Sequence, residues 1–333
     1  MSKPNTRIAR RTLLQAGIGA GVTLAMPRIS RAAPMLARLA LYGPPAGPSI
    51  PLAYAVATGA FAHLADEVSF IPWKDPDELR AGLTSGTMQL VILPTQVAAN
   101  LYNRGLGVGL VNVMTDGLSF VVSADPAVTS VADLAGHRMA LPFRNDMPDF
   151  LMRRLFADAG VAEGAVDIVP AATPIEAVQL LLTGRADAAV LPEPATTMAE
   201  MMALQSGKRV YRAIDMQLEW GKITGLGRSV PQAGLGMTDA FRAAYPDALV
   251  EIQAAIAGVL PGVLANPVAA AAAAAGPLGM PAPILAKSLP HCALVATPAS
   301  AARPALEAMF SEVAMHDPRI IGGHLPDDGF YLL

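Results

Sequence analysis

The feature that most constrains this chain is a unit that occurs twice. Residues 72–94 and 170–192 align without gaps and share seven identities, including the Leu-Pro pairs at 93–94 and 191–192. Each copy reads as a β-branched run, a proline-led helical segment that stops at glycine, and an apolar run ending in Leu-Pro. Unbroken apolar runs are typical of strands covered on both faces, so each copy predicts a right-handed βαβ unit of a parallel sheet.

The segments around the two copies also follow one order. A strand, loop and helix pattern precedes the first copy at residues 37–61 and the second copy at residues 137–160. Residues 117–136 begin with a strand that crosses between the units, residues 229–249 contain a returning strand, and residues 243–333 are mainly helical by pattern. The sequence therefore predicts an α/β fold of two lobes, each with a mainly parallel sheet, joined by a two-strand hinge with a cleft between them.

The first 32 residues have the pattern of an export signal. Arg10 and Arg11 precede a short apolar stretch rich in Gly and Ala, and small residues follow near Ala32. This pattern predicts a cleaved signal peptide that resembles the twin-arginine type, with an uncleaved anchor or a chance basic tail as the alternative. No cysteine follows the apolar stretch, which excludes a lipoprotein anchor. Elsewhere in the chain we expect no segment that spans a membrane.

Composition narrows the class of function. Removal of residues 1–32 leaves a net charge of −9, which argues against nucleic acid or an anionic membrane as partner. The single cysteine, Cys292, excludes a disulfide framework, and the five histidines have no ligand-like spacing. The sequence has no phosphate loop and no Gly-x-Ser-x-Gly or His/Cys motif of a nucleophilic enzyme. We therefore expect no catalysis, no metal and no cofactor.

Three segments of the chain resemble a known family. They are "SVADLAGHRMALP", "AVQLLLTGRADAAVLPEPA" and "AAYPDAL". Together they are similar to the periplasmic substrate-binding proteins of ABC importers, of the nitrate/sulfonate/taurine and thiamine-pyrimidine-precursor type. The resemblance covers residues 36–255. It departs from the family at residues 59–61, where Gly-Ala-Phe stands in place of the usual Gly-Phe-Phe.

This resemblance implies a type II periplasmic binding fold. Lobe 1 would comprise residues 35–119 and 222–333, and lobe 2 residues 120–221, with a ligand in the cleft. The function it implies is a monomeric periplasmic receptor that captures a small polar organic molecule and delivers it to an ABC permease with its ATPase. One alternative is a receptor for a sensor or another transporter type. The other is an enzyme like the pyrimidine-precursor synthases, but these carry a cysteine-rich motif, and Cys292 is expected far from the cleft.

Candidate ligand residues follow from the rule that ligands bind at the carboxyl ends of parallel strands, where helices begin. For lobe 1 and the first crossing, the candidates are Tyr42, Pro44, Ser49, Trp73, Thr95, Gln96 and Asp116. For lobe 2 they are Phe143, Arg144, Asn145, Asp146, Glu193 and Trp220. Ordinary turns, helix caps, solvated loop positions and core packing remain open as alternatives for individual members.

The charges among these candidates indicate the class of ligand. Arg144 suits an anionic group. Glu193, Asp116 and Asp146 argue against a small, purely anionic ligand such as nitrate. Glu193 is the sharpest candidate, because it follows a buried strand and a carboxylate there accepts hydrogen bonds from a ligand, although it also suits a helix N-terminus. The mixture predicts a heterocyclic or zwitterionic molecule and leaves its identity open.

Overall fold

The strands of the described residues form two sheets, as the repeated unit predicts. A computed structural model describes residues 35–144 and 146–333, so the predicted signal peptide and Asn145 lie outside the described residues. The strands are β1 Leu36–Gly43, β2 Ala65–Pro72, β3 Leu90–Pro94, β4 Val108–Thr115, β5 Ser119–Ser123, β6 Arg138–Pro142, β7 Asp167–Ala171, β8 Ala188–Pro192, β9 Tyr211–Asp215, β10 Ala233–Thr238 and β11 Leu294–Pro298.

The α-helices connect and cover these strands. They are α1 Ser49–Ala57, α2 Pro76–Ser85, α3 Thr95–Asn103, α4 Met147–Asp158, α5 Pro174–Leu182, α6 Ala195–Gln205, α7 Met216–Thr224, α8 Asp239–Ala244, α9 Ala248–Ala265, α10 Pro267–Leu278, α11 Ala282–Ser288 and α12 Ala299–His316.

Each lobe contains one sheet of mixed direction. The order in lobe 1 is β11-β4-β10-β3-β1-β2, and the order in lobe 2 is β7-β6-β8-β5-β9. Most strands of each sheet run in one direction, but the edge strand β11 is antiparallel to β4, and β10 and β5 are each antiparallel to both of their neighbours. Strands β10 and β5 are the ones that the chain enters from the other lobe, at the edge where the parallel strands end. The α/β, two-lobed fold is confirmed; the residue limits of the lobes remain a prediction.

The two copies of the repeat fold as β2–α2–β3–α3 and β7–α5–β8–α6. Their helices begin alike: Asp75 accepts the backbone N–H groups of Asp77 and Glu78 at 3.0 and 2.9 Å, and Thr173 accepts that of Glu176 at 3.2 Å. A proline follows each cap at the first helical position, where its missing N–H costs nothing. The predicted starts of both helices are therefore correct to the residue.

Both inner strands of the repeat are covered on two faces. In β3, Leu90 and Ile92 face a cluster with α1 and α9, whereas Val91 and Leu93 face a cluster with α2, α3 and α12. Strand β8 divides its residues in the same way between α5 and α6 on one face and the α4–α7 side on the other. This double cover explains why both strands read as unbroken apolar runs.

One helix bears on the expectation that no further segment spans a membrane. Helix α9 has 18 residues and is long and apolar enough, by length and composition, to cross a membrane. Such a helix is weak evidence for a membrane span, and here its buried residues Leu249, Ile252 and Ile256 pack in the cluster with α1 and sheet 1. The same composition therefore serves a helix that covers the sheet.

Two links carry the chain between the lobes, and they lie side by side. Residues 116–118 connect β4 to β5, and residues 225–232 connect α7 to β10. The N–H of Val230 donates to the carbonyl of Asp116 at 2.7 Å. Gly117 in the first link has φ +124°, and a Cβ there would lie 2.0 Å from Cγ of the buried Gln217. That conformation and that contact both require glycine.

Substitution of this glycine tests how tightly the links are packed. We expect Gly117→Ala to lower the free energy of unfolding by about 3 kcal/mol or more, because strain adds to displacement of Gln217, whose Oε1 accepts Ser119 N–H at 2.9 Å. The matched control is Gly136→Ala, which also has positive φ, at +83°, but has no atom within 4 Å of a Cβ. It should cost only about 1–2 kcal/mol in urea unfolding. Equal losses would contradict the packing argument.

Candidate functional site

A cavity of about 140 Å³ lies between the two lobes, and we call it the cleft cavity. Strands β3 and β8 end at its wall with Pro94 and Pro192, and the loops after β1 and β6 complete it. Its walls are mainly apolar. The lining residues are Pro44, Ala46, Pro48, Trp73, Pro76, Leu79, Arg80, Leu93, Pro94, Val97, Leu118, Ser119, Phe143, Asp146, Met147, Pro148, Pro192, Gln232 and Ala233.

The loop after β1 is fixed by its own hydrogen bonds. Ser49 is fully buried, its hydroxyl donates to the carbonyl of Pro44 at 2.6 Å, and its N–H donates to that of Ala46 at 3.0 Å. Pro44 and Ala46 are thereby held against the cleft cavity. Of the three candidates here, Pro44 lines the cavity, Ser49 shapes the loop behind it, and Tyr42 is not among the lining residues.

Trp73 forms an aromatic wall of the cavity. Its indole N–H donates to the carbonyl of Ile92 at 3.0 Å, and its backbone N–H donates to that of Gly43 at 3.0 Å. The side chain is only 8% exposed. Because the indole N–H is already bonded, Trp73 offers a ligand its ring surface and no donor.

Phe143 is the aromatic residue contributed by lobe 2. Its φ of +55° puts a non-glycine residue in the left-handed region, at a cost of about 1–2 kcal/mol. Two hydrogen bonds hold it there: its N–H donates to Ala171 O at 3.3 Å, and its carbonyl accepts Asp146 N–H at 3.0 Å. Strained backbone of this kind clusters at ligand sites. The sequence prediction named Phe143, but nothing in the sequence indicated its conformation.

A hydrogen bond crosses the cleft between Gln96 and Asp146. Gln96 Nε2, at the start of α3 in lobe 1, donates to Asp146 Oδ1 at 2.7 Å. Asp146 also caps α4 in lobe 2, accepting Met147 N–H at 2.7 Å. Burial raises the pKa of Asp146, opposed by the Met147 N–H, the Arg80 charge and the Gln96 amide. The structure thus brings two predicted residues together across the cleft.

Thr95 is hydrogen-bonded to the second link between the lobes. Its hydroxyl donates to Pro231 O at 2.6 Å and its N–H donates to Gln232 O at 3.2 Å, and its side chain is fully buried. These bonds hold Gln232 at the cavity wall, where its Nε2 donates to Ser119 Oγ at 3.3 Å. Sequence reasoning missed Gln232, Ser119 and Arg80; the position of Gln232 and Ser119 beside the two predicted crossings was the available signal.

Glu193 lies behind the wall. Its carboxylate is fully buried, pairs with Arg212 of β9, and accepts Thr197 N–H of α6 at 3.2 Å. It is not among the residues that line the cleft cavity, although the preceding Pro192 is. Its carbonyl accepts Gly47 N–H at 3.4 Å from the β1 loop. The role of Glu193 as a ligand contact remains a prediction, and the carboxylate is already bonded within the protein.

Arg212 organises this region, and no feature of the sequence indicated its role. Besides Glu193, it donates from Nε and Nη2 to the carboxylate of Glu200 at 3.0 Å each, and from Nη2 to Thr197 Oγ1 at 2.9 Å. Its guanidinium lies 5.0 Å from the centre of the Phe120 ring. The arginine therefore neutralises Glu193 while it anchors edge strand β9 to α6.

The remaining candidates lie away from the cleft cavity. Asp116 sits in the first link, where burial raises its pKa and Ser229 Oγ donates to it at 3.3 Å. Arg144 is exposed and lines a separate groove between α4 and β7. Trp220 is buried in α7, in the core beneath α4, and also does not line the cavity. Asn145 lies outside the described residues.

Cys292 corrects an expectation, because it is near the cleft and not far from it. A Cβ on Gly47, between two lining residues, would lie 2.6 Å from Cys292 Sγ. The thiol is fully buried, and burial raises its pKa well above the ordinary value, so it is protonated at neutral pH. Among the described residues, no group of three or more His, Cys, Asp or Glu side chains could hold a metal ion.

The comparisons with known proteins agree on one class. Residues 62–219 match the family model described as ABC transporter, phosphonate, periplasmic substrate-binding protein. No curated protein matches the sequence.

Several solved structures share the fold. An ABC transporter protein from Parabacteroides distasonis has a TM-score of 0.68 and 21% identity, over 90% of this chain and 99% of that one. The aliphatic sulphonate binding protein SsuA from Escherichia coli has a TM-score of 0.67 and 16% identity, over 90% and 100%. The nitrate-binding protein NrtA from Synechocystis has a TM-score of 0.60 and 15% identity, over 77% and 71%. The family match and this fold make the chain similar to the periplasmic substrate-binding proteins of ABC transporters.

Proposed function

We propose that this protein is an extracytoplasmic solute receptor that delivers a small organic molecule to an ABC import permease and its ATPase. The observation that carries the proposal is the cleft cavity, which both lobes enclose at the ends of their parallel strands. Hinge closure around such a cavity hides a solute from water and gives a partner a distinct closed form to recognise. The two adjoining links supply the hinge.

The cavity walls support a solute with an apolar body. Two aromatic residues, Trp73 and Phe143, and several prolines form most of the lining, and the polar members are Arg80, Ser119, Asp146 and Gln232. At about 140 Å³, the cavity is below the usual range of about 300–1,000 Å³ for ligand pockets, which favours a small solute. SsuA and NrtA bind an aliphatic sulphonate and nitrate by their descriptions. The apolar lining fits a heterocyclic or other organic molecule better than nitrate.

We assign Glu193 a supporting role in this receptor. Because its carboxylate pairs with Arg212 and Thr197, it fixes the start of α6 and the position of Pro192 at the wall. The ligand contacts then fall to Trp73, Phe143, Asp146 and Gln232. In this assignment, specificity for the solute comes from these four residues and not from the charge of Glu193.

Two features support a receptor over an enzyme. Family and structural neighbours are binding proteins. Cys292 is buried and protonated, and it does not line the cavity. A receptor for a sensor or for another transporter type would use the same closed form. Permease and ATPase genes beside the gene for this protein would distinguish an importer from these alternatives.

Export by the twin-arginine route and a monomeric state are also part of the proposal. The double substitution Arg10→Lys with Arg11→Lys should block export.

A solute screen tests the proposed receptor. Thermal shift across sulfonates, nitrate, bicarbonate, pyrimidines and amino-acid-like solutes should find compounds that raise the Tm, because a solute that binds only the folded state stabilises it. Small-angle X-ray scattering should then show a smaller radius of gyration, and the solute should be recovered unchanged. Consumption of the solute by the protein alone would contradict the receptor assignment.

Trp73→Ala tests the aromatic wall with the best solute from that screen. We expect at least about a tenfold loss of affinity by calorimetry, because stacking and apolar burial on a large ring are lost. Trp220→Phe is the matched control: it alters a tryptophan of the α7 core and should lower the Tm without changing affinity. Equal affinity losses would show that Trp73 has no specific role.

Arg212→Ala tests the supporting role of Glu193. Removal of one partner leaves the Glu193 carboxylate buried without its ion pair, so the free energy of unfolding should fall by about 3–5 kcal/mol. The control Arg38→Ala breaks the exposed pair with Glu67 and should cost less than about 1 kcal/mol. Glu193→Gln should change solute affinity less than about twofold, since Glu193 does not line the cavity. A large affinity loss at unchanged stability would return Glu193 to the ligand site.

A further inference from the structure

We propose that the solute is a small organic cation, an amine or amidine on an apolar body, whose N–H groups donate to Asp146 and Gln232. This inference rests on the proposed receptor function and names the chemical class of its ligand. It concerns the polar groups at the cleft cavity and the way in which their hydrogen bonds are distributed.

The hydrogen-bond acceptors at the cavity outnumber the donors that are bonded to them. The carboxylate of Asp146 lines the cavity and can only accept, so Gln96 must present its Nε2 to it. That orientation leaves Gln96 Oε1, on a side chain 2% exposed, with no partner among the described residues. Gln232 is in the same state: its Nε2 is bonded to Ser119, and its buried Oε1 has no partner. Buried acceptors of this kind need a donor, and a ligand can supply one to Gln232, which lines the cavity, whereas Gln96 lies behind the wall.

The donors at the two helix starts are already used, and the lining residues that keep free donors are the exposed Arg80 and the Ser119 hydroxyl. The N–H groups of Thr95 and Met147, at the starts of α3 and α4, donate to Gln232 O and Asp146 Oδ1. The hydroxyls of Ser49 and Thr95 donate to backbone carbonyls, and so does the Trp73 indole. An oxyanion would need several free donors here. Asp146 takes the position at the start of α4 where an anionic group would otherwise bind.

Charge and shape favour a cation over a neutral donor. The Arg80 guanidinium that also lines the cavity is exposed and has its own ion pair, with Asp77 at 3.4 Å. Asp146 therefore lacks a buried cationic partner within the described residues, and a buried carboxylate is costly without one. The rings of Trp73 and Phe143 offer surfaces that attract cations, and their apolar neighbours suit a compact hydrocarbon body.

A matched series of probes on one phenyl body tests the proposal. Benzamidine and benzylamine carry cationic N–H donors, whereas benzenesulfonate and benzoate carry oxyanions of similar size. Calorimetry with the mature chain should show binding of the two cations and none of the two anions. Asp146→Asn should weaken benzamidine binding by about tenfold or more, because a charged hydrogen bond is lost. Asparagine remains a good helix cap, so this variant should fold.

The outcomes that contradict the cation proposal are different from those that contradict the receptor proposal. Asp66→Asn and Gln179→Ala change exposed residues and should leave benzamidine affinity unchanged, whereas Gln232→Leu should weaken it. Tighter binding of benzenesulfonate than of benzamidine would overturn the cation assignment and leave the receptor function standing. Failure of all four probes would also overturn it. The receptor function itself fails only if no solute of any class in the wider screen binds and closes the lobes.

Discussion

The structure depends on the meeting of two sheets at the ends of their parallel strands. Every forward strand of a βαβ unit finishes at the same edge, and helices begin there, so polar backbone groups and loops collect at that edge. Here β3 and β8 present such edges to each other, and links of three and eight residues hold them together. The bond from Val230 to Asp116 joins the links, and Leu118 and Gln232 of these links line the cavity.

Thr95 and Glu193, which follow the two Leu-Pro pairs, differ in type but have the same structural role. Thr95 is fully buried and bonded to Pro231, and Glu193 is fully buried and bonded to Arg212. Each ties the start of a helix to another part of the chain. The hydroxyl of Thr95 needs only one carbonyl as its partner. The buried charge of Glu193 needs an arginine, and that arginine also pairs with a second carboxylate, Glu200. The contrast between them therefore reports how each rim is held, and the prolines that precede them, Pro94 and Pro192, line the cavity.

The sequence predicted what local chemistry determines. The N-cap residues, the glycine stops and the double-faced strands of both repeats follow from propensity and periodicity within each copy, as Asp75 and Thr173 illustrate. That reasoning could not identify side-chain partners that are distant in sequence. Arg212 reaches Glu193 only because β9 joins the sheet edge beside β5, and Gln232 reaches Ser119 only because the two links adjoin. Pro44, Trp73, Phe143 and Asp146 line the cavity because strand ends define it, and their contact with a ligand remains a prediction.

Fold likeness and ligand class separate at this cavity. The frame shared with sulphonate- and nitrate-binding proteins supplies helix N-termini at the cleft, and these suit oxyanions in principle. In this chain the donors at α3 and α4 are bonded to Gln232 and Asp146, and two amide oxygens are left over. A carboxylate at the start of α4 and unbonded amide oxygens favour the donor-bearing ligand proposed above over an oxyanion. One carboxylate at a helix start disfavours an anion there and favours a cation.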